Sequence, residues 1–267
     1  MLRLLDSRTN SYAEVAPARR GLLRVCAYAP GDAEGFGITG LRVELVADLL
    51  ARAAEMCGLQ VITVFASREH SRGQASASRR DAEALGIHPP TAYTSSHEAQ
   101  AVLGGPIDVH LVSSHDADES FGRSGAVVPV GAAHIPGYGD HGDTSAGTVP
   151  AGQGHDPLAF RLALLSVPYH EPADLTGSVL ARAYETLRRW RQQVAGWAES
   201  PSRPIPADIG QQAQAAFGGL DIVSVLTMLG GLAHDAGVSA GAKFEAFVYA
   251  DRILGLDLAR DIGKLGG

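Results

Sequence analysis

The sequence predicts an α/β protein, a Rossmann-like parallel sheet followed by a C-terminal helical bundle. In the first part of the chain, short apolar runs typical of buried strands alternate with helical patterns. From about residue 166 onward, only helical patterns remain. We therefore expect two domains, a Rossmann-like catalytic or nucleotide-binding domain over residues 1–165 and a helical bundle over residues 166–267.

Four apolar runs are candidates for the strands of the sheet. They are Leu22–Tyr28, Leu59–Ala66, Ile107–Val112 and Ala126–Val130. Helices are expected between them, at Leu41–Cys57 and Arg79–Leu85. Strands that alternate with helices form parallel sheets with helices on both faces.

The second half begins after a long glycine-rich stretch, residues 131–154, which predicts a functional or mobile loop. Apolar residues three and four positions apart then predict further helices. These are Asp156–Leu165, Val179–Trp197, Asp221–His234 and Ala242–Leu254.

Composition excludes several classes of protein. The net charge of −7 disfavours nucleic-acid binding, which needs clustered basic residues. No apolar run approaches the roughly 18 residues that span a membrane. The two cysteines, Cys26 and Cys57, are too few for a disulfide framework, so we expect a cytoplasmic protein.

The stretch GFGITG, Gly35–Gly40, has the spacing of a dinucleotide-binding turn. In such turns the first glycine follows the strand directly, but six residues, APGDAE, intervene here. An acidic residue at the end of the next strand, which would hold the ribose, is also absent from its place. We therefore do not interpret the stretch as a dinucleotide site.

The order of segments resembles the cysteinyl-tRNA synthetases and the related cysteine ligase of mycothiol biosynthesis. The opening LRLLDSRT is similar to the family's first strand, and Cys26 and Asp32 match its cysteine and following aspartate. Residues 155–176, HDPLAFRLALLSVPYHEPADLT, resemble the helix that leads into the family's helical domain. The resemblance covers nearly the whole chain and implies a class I synthetase fold.

In this family, two motifs named HIGH and KMSKS hold the phosphates of ATP. GITGLR occupies the place of HIGH, so the resemblance implies a nucleotide or phosphate site at Gly37, Ile38, Thr39, Gly40 and Arg42. Glycines replace both histidines, however, and HGDTSAGT, residues 141–148, has no lysine in the place of KMSKS. Lysine occurs only at positions 243 and 264, which leaves Arg123 or Arg161 as sources of positive charge. ATP-dependent adenylation is not expected, although backbone amides before a helix can still hold an anion.

The resemblance also implies a substrate pocket and a zinc ion. Asp32 and His110 correspond to substrate-binding residues, and Cys26, His115 and Glu119 to three of the family's four zinc ligands. Spacing of i and i+4 places the last two on one helical face. The alternative interpretation is that these residues have no functional role. Cys26 would then be a buried apolar residue and His110 a hydrogen-bonded core histidine, while the side chains of His115 and Glu119 would be solvated.

Three functions remain open. The first is an aminoacyl ligase or transferase in specialised metabolism, which joins an amino-acid-like substrate to a small molecule or carrier. The second is an inactive synthetase paralogue that acts as a binding or regulatory partner. The third is an aminoacyl-tRNA-dependent transferase, but residues 1–167 carry 13 basic and 18 acidic side chains, a net charge of −5 that argues against tRNA.

The altered motifs give a first prediction. We expect no amino-acid-dependent exchange of pyrophosphate into ATP with cysteine or any other standard amino acid, because nothing replaces the lost phosphate-stabilising groups. Isotope exchange measures this directly. Robust exchange would show that arginines or backbone amides perform the role of the missing residues.

Overall fold

The computed structural model describes residues 2–30, 37–67, 79–114, 116, 124–136 and 156–264. Within these residues, no helix is both long enough and apolar enough to cross a membrane.

A five-stranded parallel sheet forms the centre of the first half, as the sequence predicts. Its strands are β3 (Leu22–Tyr28), β4 (Gln60–Ser67), β5 (Ala92–Ser95), β6 (Val109–Ser113) and β7 (Ala126–Val130). They lie in the order β5-β4-β3-β6-β7, and every neighbouring pair is parallel. The α/β, Rossmann-like fold class is therefore confirmed. The short strand β5 was not predicted from the sequence.

The strand order reverses between β3 and β6. The chain moves outward from β3 to β4 and β5, then returns to the other side of β3 with β6 and β7. Such a reversal opens a crevice at the carboxyl ends of the two central strands, where open α/β sheets bind their ligands.

Helix α1 (Ile38–Met56) covers one face of the sheet. Its buried residues pack against Leu23, Val25 and Ala27, which alternate along β3. The opposite face carries a smaller cluster formed by Cys26, Val64 and neighbours, which the short helix α2 (Ala99–Val102) helps to cover. Residues 79–84 are also helical.

The second half is helical, as predicted. Its helices are α3 (Pro157–Leu165), α4 (Gly177–Trp197), α5 (Ala207–Gly218), α6 (Ile222–His234) and α7 (Ala240–Leu254). Asp156, Thr176, Asp221 and Ser239 each accept a hydrogen bond from a first-turn amide and so fix a helix start. Helix α5 was not predicted.

Two small sheets complete the described part of the chain, and the sequence did not predict either pairing. Strands β1 (Arg3–Asp6) and β2 (Ser11–Glu14) form an antiparallel hairpin, from which the Ser7 amide donates to the Val127 carbonyl of β7. Strands β8 (Ala133–His134) and β9 (Ala173–Asp174) pair in parallel.

One hydrophobic core extends through both halves. The same cluster contains Val43 of α1, Leu111 of the sheet and Phe247 of α7. In the helical half, Trp190 and Trp197 pack edge-on against Phe247, with ring centroids 5.6 and 5.1 Å away. The division at residue 165 remains a prediction.

Arg161, a fully buried residue, joins three parts of the structure. Its Nη2 donates to Asp48 Oδ2 on α1 at 2.8 Å, its Nη1 to the Leu85 carbonyl at 3.0 Å, and its Nε to the Leu254 carbonyl at 2.6 Å. Burial lowers the pKa of Arg161, and the Asp48 carboxylate opposes this shift. Nε of Arg52 also donates to Asp48, at 3.0 Å.

Gly255, which ends α7, leaves room for this guanidinium. Its φ of +61° is left-handed, and a Cβ at this position would lie 2.9 Å from Nη2 of Arg161. A side chain there would therefore be strained and would displace the arginine.

The ion pair gives a second prediction. We expect Arg161→Met to lower the free energy of unfolding by about 3–5 kcal/mol, because it leaves the Asp48 carboxylate buried with a weaker set of partners. Urea unfolding followed by tryptophan fluorescence measures the change. Arg182→Met, at an exposed position on α4, is the control and should have little effect. A loss below about 1 kcal/mol for Arg161→Met would contradict the role of the pair.

Candidate functional site

Cys26 and His110 lie side by side at the reversal of strand order. They are partners in the parallel register of β3 and β6, so their side chains share a face of the sheet. Tyr28, two residues after Cys26, shares that face too. Its hydroxyl lies 2.9 Å from Nδ1 of His110, and the two rings stack with centroids 5.8 Å apart.

Burial sets the protonation states of this cluster, which we call the Cys26–Tyr28–His110 cluster. Loss of solvent raises the pKa of the Cys26 thiol to about 12 and also raises that of Tyr28. Burial lowers the pKa of His110, while its contact with the Ser124 carbonyl opposes the shift. At neutral pH the cluster is therefore a thiol, a phenol and a neutral imidazole.

The structure does not bring all the predicted residues to one place. Cys26 and His110 lie within their strands, before the ends at Tyr28 and Ser113, on the face opposite α1. Gly37 begins α1, which packs on the other face. Cys26 and His110 thus meet each other, while Gly37 begins the helix that covers the opposite face of the sheet.

The start of α1 has features that suit an anion. Its N-cap, Gly37, has no side chain to cap the helix, and its first turn has no acidic residue. The first amides of a helix have no partner within it, and the helix dipole favours negative charge there. The Thr39 hydroxyl bonds the backbone of Ala133 instead, at 3.1 Å to its amide and 3.3 Å to its carbonyl.

Arg42, predicted to bind phosphate, is 1% exposed and donates to backbone carbonyls. Nη1 donates to the carbonyls of Gly131 (2.9 Å), Ala132 (3.2 Å) and Glu171 (2.6 Å), and Nη2 to that of Pro168 (2.9 Å). Burial lowers the pKa of Arg42 to about 10, which still leaves it charged at neutral pH. The side chain ties the end of β7 to the turn after α3, and a phosphate role for it remains a prediction.

Of the three predicted zinc ligands, Cys26 alone lies among the described residues. Its thiol lies among Val64, Ala66 and Ala99, and the described residues contain no group of three or more His, Cys, Asp and Glu side chains suited to a metal. His115 and Glu119 lie outside the described residues. A zinc ion at Cys26 would therefore depend on those two residues, and we assign no chemical step to it.

Further predicted positions also lie outside the described residues: Asp32, Arg123 and residues 141–148. The other source of positive charge, Arg161, is committed to the ion pair with Asp48 and to two carbonyls. It therefore has no guanidinium face available for a phosphate.

Sequence reasoning missed Tyr28 as a member of the cluster. Strand periodicity contained the signal, since residues two apart in a strand share a face. It also missed the role of Arg42 in holding carbonyls together. No local pattern indicates that role, because the acceptors lie about 90 and 130 positions away in the chain.

No protein-family model and no curated protein matches the chain. Matching solved structures include one from Campylobacter jejuni that carries a provisional assignment as an arginyl-tRNA synthetase. It is 10% identical, with a TM-score of 0.45, and the match covers 90% of each chain. A likeness this distant supports no inference about activity.

The environment of Cys26 gives a third prediction. Native protein treated with iodoacetamide between pH 7 and 9 should be alkylated at exposed Cys57 and not at buried Cys26. Alkylation requires the thiolate, and with a pKa of about 12 the thiolate fraction of Cys26 at pH 9 is on the order of a thousandth. Peptide mass spectrometry identifies the modified site. Denatured protein is the control, in which both cysteines should react, and modification of Cys26 in native protein would contradict the prediction.

Proposed function

We propose that the protein is a synthetase-like aminoacyl ligase or transferase that acts on a small molecule or carrier and does not charge tRNA. The observation that carries the proposal is the reversal of strand order between β3 and β6. Ligands of open parallel sheets bind at the carboxyl side of this position. An amino-acid-like substrate would lie there.

The open start of α1 supports an anionic group on the substrate. The first amides of the helix and its dipole suit a carboxylate or a phosphate, and Gly37 adds no side chain that competes. The glycines at positions 37 and 40 cannot donate side-chain hydrogen bonds to ATP as adenylation proceeds. The proposal therefore favours a substrate that is already activated over one that the protein activates with ATP.

The Cys26–Tyr28–His110 cluster would position the substrate from the opposite face. Tyr28 is the last residue of β3, and the contact of its hydroxyl with His110 fixes the orientation of its ring. In this proposal Tyr28 contacts the substrate and His110 is a positioning residue. The resemblance would add Asp32, four residues after Tyr28, as a further contact.

The lost ATP motifs favour a second candidate, an inactive paralogue that acts as a binding or regulatory partner. Glycines in place of both HIGH histidines and the missing lysines suit such a protein as well as a ligase. The two candidates differ in one observable property, since only the ligase or transferase must bind an amino-acid-like ligand. A tRNA-dependent transferase remains the least supported, because of the negative charge of the first half.

Substitution of Gly37 tests the proposal and gives a fourth prediction. We expect calorimetry to find submillimolar binding of a free amino acid or of a cysteinyl or seryl sulfamoyl adenosine. Gly37→Asp should weaken that binding about tenfold, because its carboxylate repels an anion at the helix start. Gly37→Asn, which is neutral and of nearly equal size, should retain affinity within about threefold.

Both substitutions are good N-caps, and Gly37 has a φ of −73°, which other residues adopt readily. Thermal unfolding should therefore show that both variants are at least as stable as the wild type, so that weaker binding is not a folding defect. Equal affinities of the two variants would remove the anion site from the proposal. If no ligand binds at millimolar concentration, the ligase proposal fails and the binding partner replaces it.

A further inference from the structure

A cavity of about 670 Å³ lies between α1, the turn after α3 and the junction of α5 with α6. Its described lining contains no member of the Cys26–Tyr28–His110 cluster. The volume is within the range of about 300–1,000 Å³ that is typical of small-molecule sites. It is therefore large enough for a ligand separate from the one proposed at the sheet edge.

The floor of this cavity is apolar. It is formed by Leu45, Val46 and Leu49 of α1, Leu164 and Leu165 at the end of α3, and Ile222 at the start of α6. Apolar walls of this kind give affinity through buried hydrocarbon area. The occupant should therefore have an apolar body.

The charges around the cavity are unbalanced toward the negative. Glu171 and Asp221 both line it. Among its described lining residues, Arg42 has the one permanent positive charge, so the two carboxylates outnumber it. The cavity therefore favours a cationic group over an anionic one.

The backbone at the junction of α5 and α6 is also unusual. Leu220, which lines the cavity, has a φ of +51°, a left-handed conformation that is costly for a residue with a side chain. Such strained residues cluster at ligand sites. This observation is independent of the charges.

We propose that this cavity binds a small organic amine, with its apolar body against the leucines and its ammonium group near Glu171 and Asp221. The site does not depend on the ligase proposal, because Gly37, Tyr28 and His110, on which that proposal rests, do not line it.

Three probes with one body and different head groups test the charge. They are 4-phenylbutylamine, 4-phenyl-1-butanol and 4-phenylbutyrate, measured by calorimetry on the full chain. We expect the amine to bind about three- to tenfold more tightly than the alcohol, and the carboxylate to bind most weakly. Equal or tighter binding of the carboxylate would overturn the proposal, and so would failure of the amine to bind at millimolar concentration.

Two variants on one helix test the location. Ala215 and Gln214 are both exposed on α5, but only Ala215 lines the cavity. Ala215→Trp should fill the mouth of the cavity and weaken binding of 4-phenylbutylamine at least tenfold. Gln214→Trp should leave this affinity unchanged. Equal effects of the two tryptophans would overturn the assigned location.

A second pair of variants tests the carboxylates. Glu171→Gln combined with Asp221→Asn should reduce the preference for the amine over the alcohol to less than twofold. Asparagine also caps helices, so α6 keeps its start. Glu185→Gln, at an exposed position on α4, is the matched control and should leave the preference for the amine over the alcohol intact. An unchanged preference in the double variant would contradict the assigned charges.

Gly37→Asp distinguishes this proposal from the previous one. This substitution should weaken binding of an amino-acid-like ligand at the sheet edge and leave binding of 4-phenylbutylamine unchanged. A changed affinity for 4-phenylbutylamine in Gly37→Asp would place the amine at the sheet edge, where the new carboxylate would attract its ammonium group, and would overturn the separate site.

Discussion

Helix α1 depends on buried arginines that bond backbone carbonyls. Arg161 bonds both Asp48 of α1 and the carbonyl at the end of α7. Arg42, which belongs to α1, bonds the turn after α3. Each guanidinium presents several donors in a rigid plane, so one side chain can satisfy carbonyls from separate parts of the chain. Because α1 also covers the sheet, these contacts set the position of the helical half relative to the strands.

This arrangement separates structural charge from the charge available to a ligand. Arg42 and Arg161 are both buried, and both guanidinium groups bond backbone carbonyls of the protein. What remains at the described part of the sheet edge is the uncapped start of α1 on one face and the neutral Cys26–Tyr28–His110 cluster on the other. Such a site suits recognition of a preformed anionic substrate better than the stabilisation of triphosphate chemistry.

The sequence was most informative where local pattern decides structure. The run Leu22–Tyr28 is a strand with the predicted bounds, and the periodicity of Asp221–His234 and Ala242–Leu254 located two helices to within two residues. Helix α5 was missed because its sequence is rich in glutamine, alanine and glycine and has few large apolar residues to mark a period. The partners of Arg42 and the cavity could not be predicted, because both arise only when distant segments pack together.

The central claim is that an amino-acid-like ligand binds at the carboxyl side of β3 and β6, beside the start of α1. A crystal structure of the protein with cysteinyl or seryl sulfamoyl adenosine tests it most directly. The account predicts ligand density that contacts Tyr28 and the first amides of α1 at Gly37. Density confined to the cavity between α1 and the α5–α6 junction, or no bound ligand at saturating concentration, would contradict it.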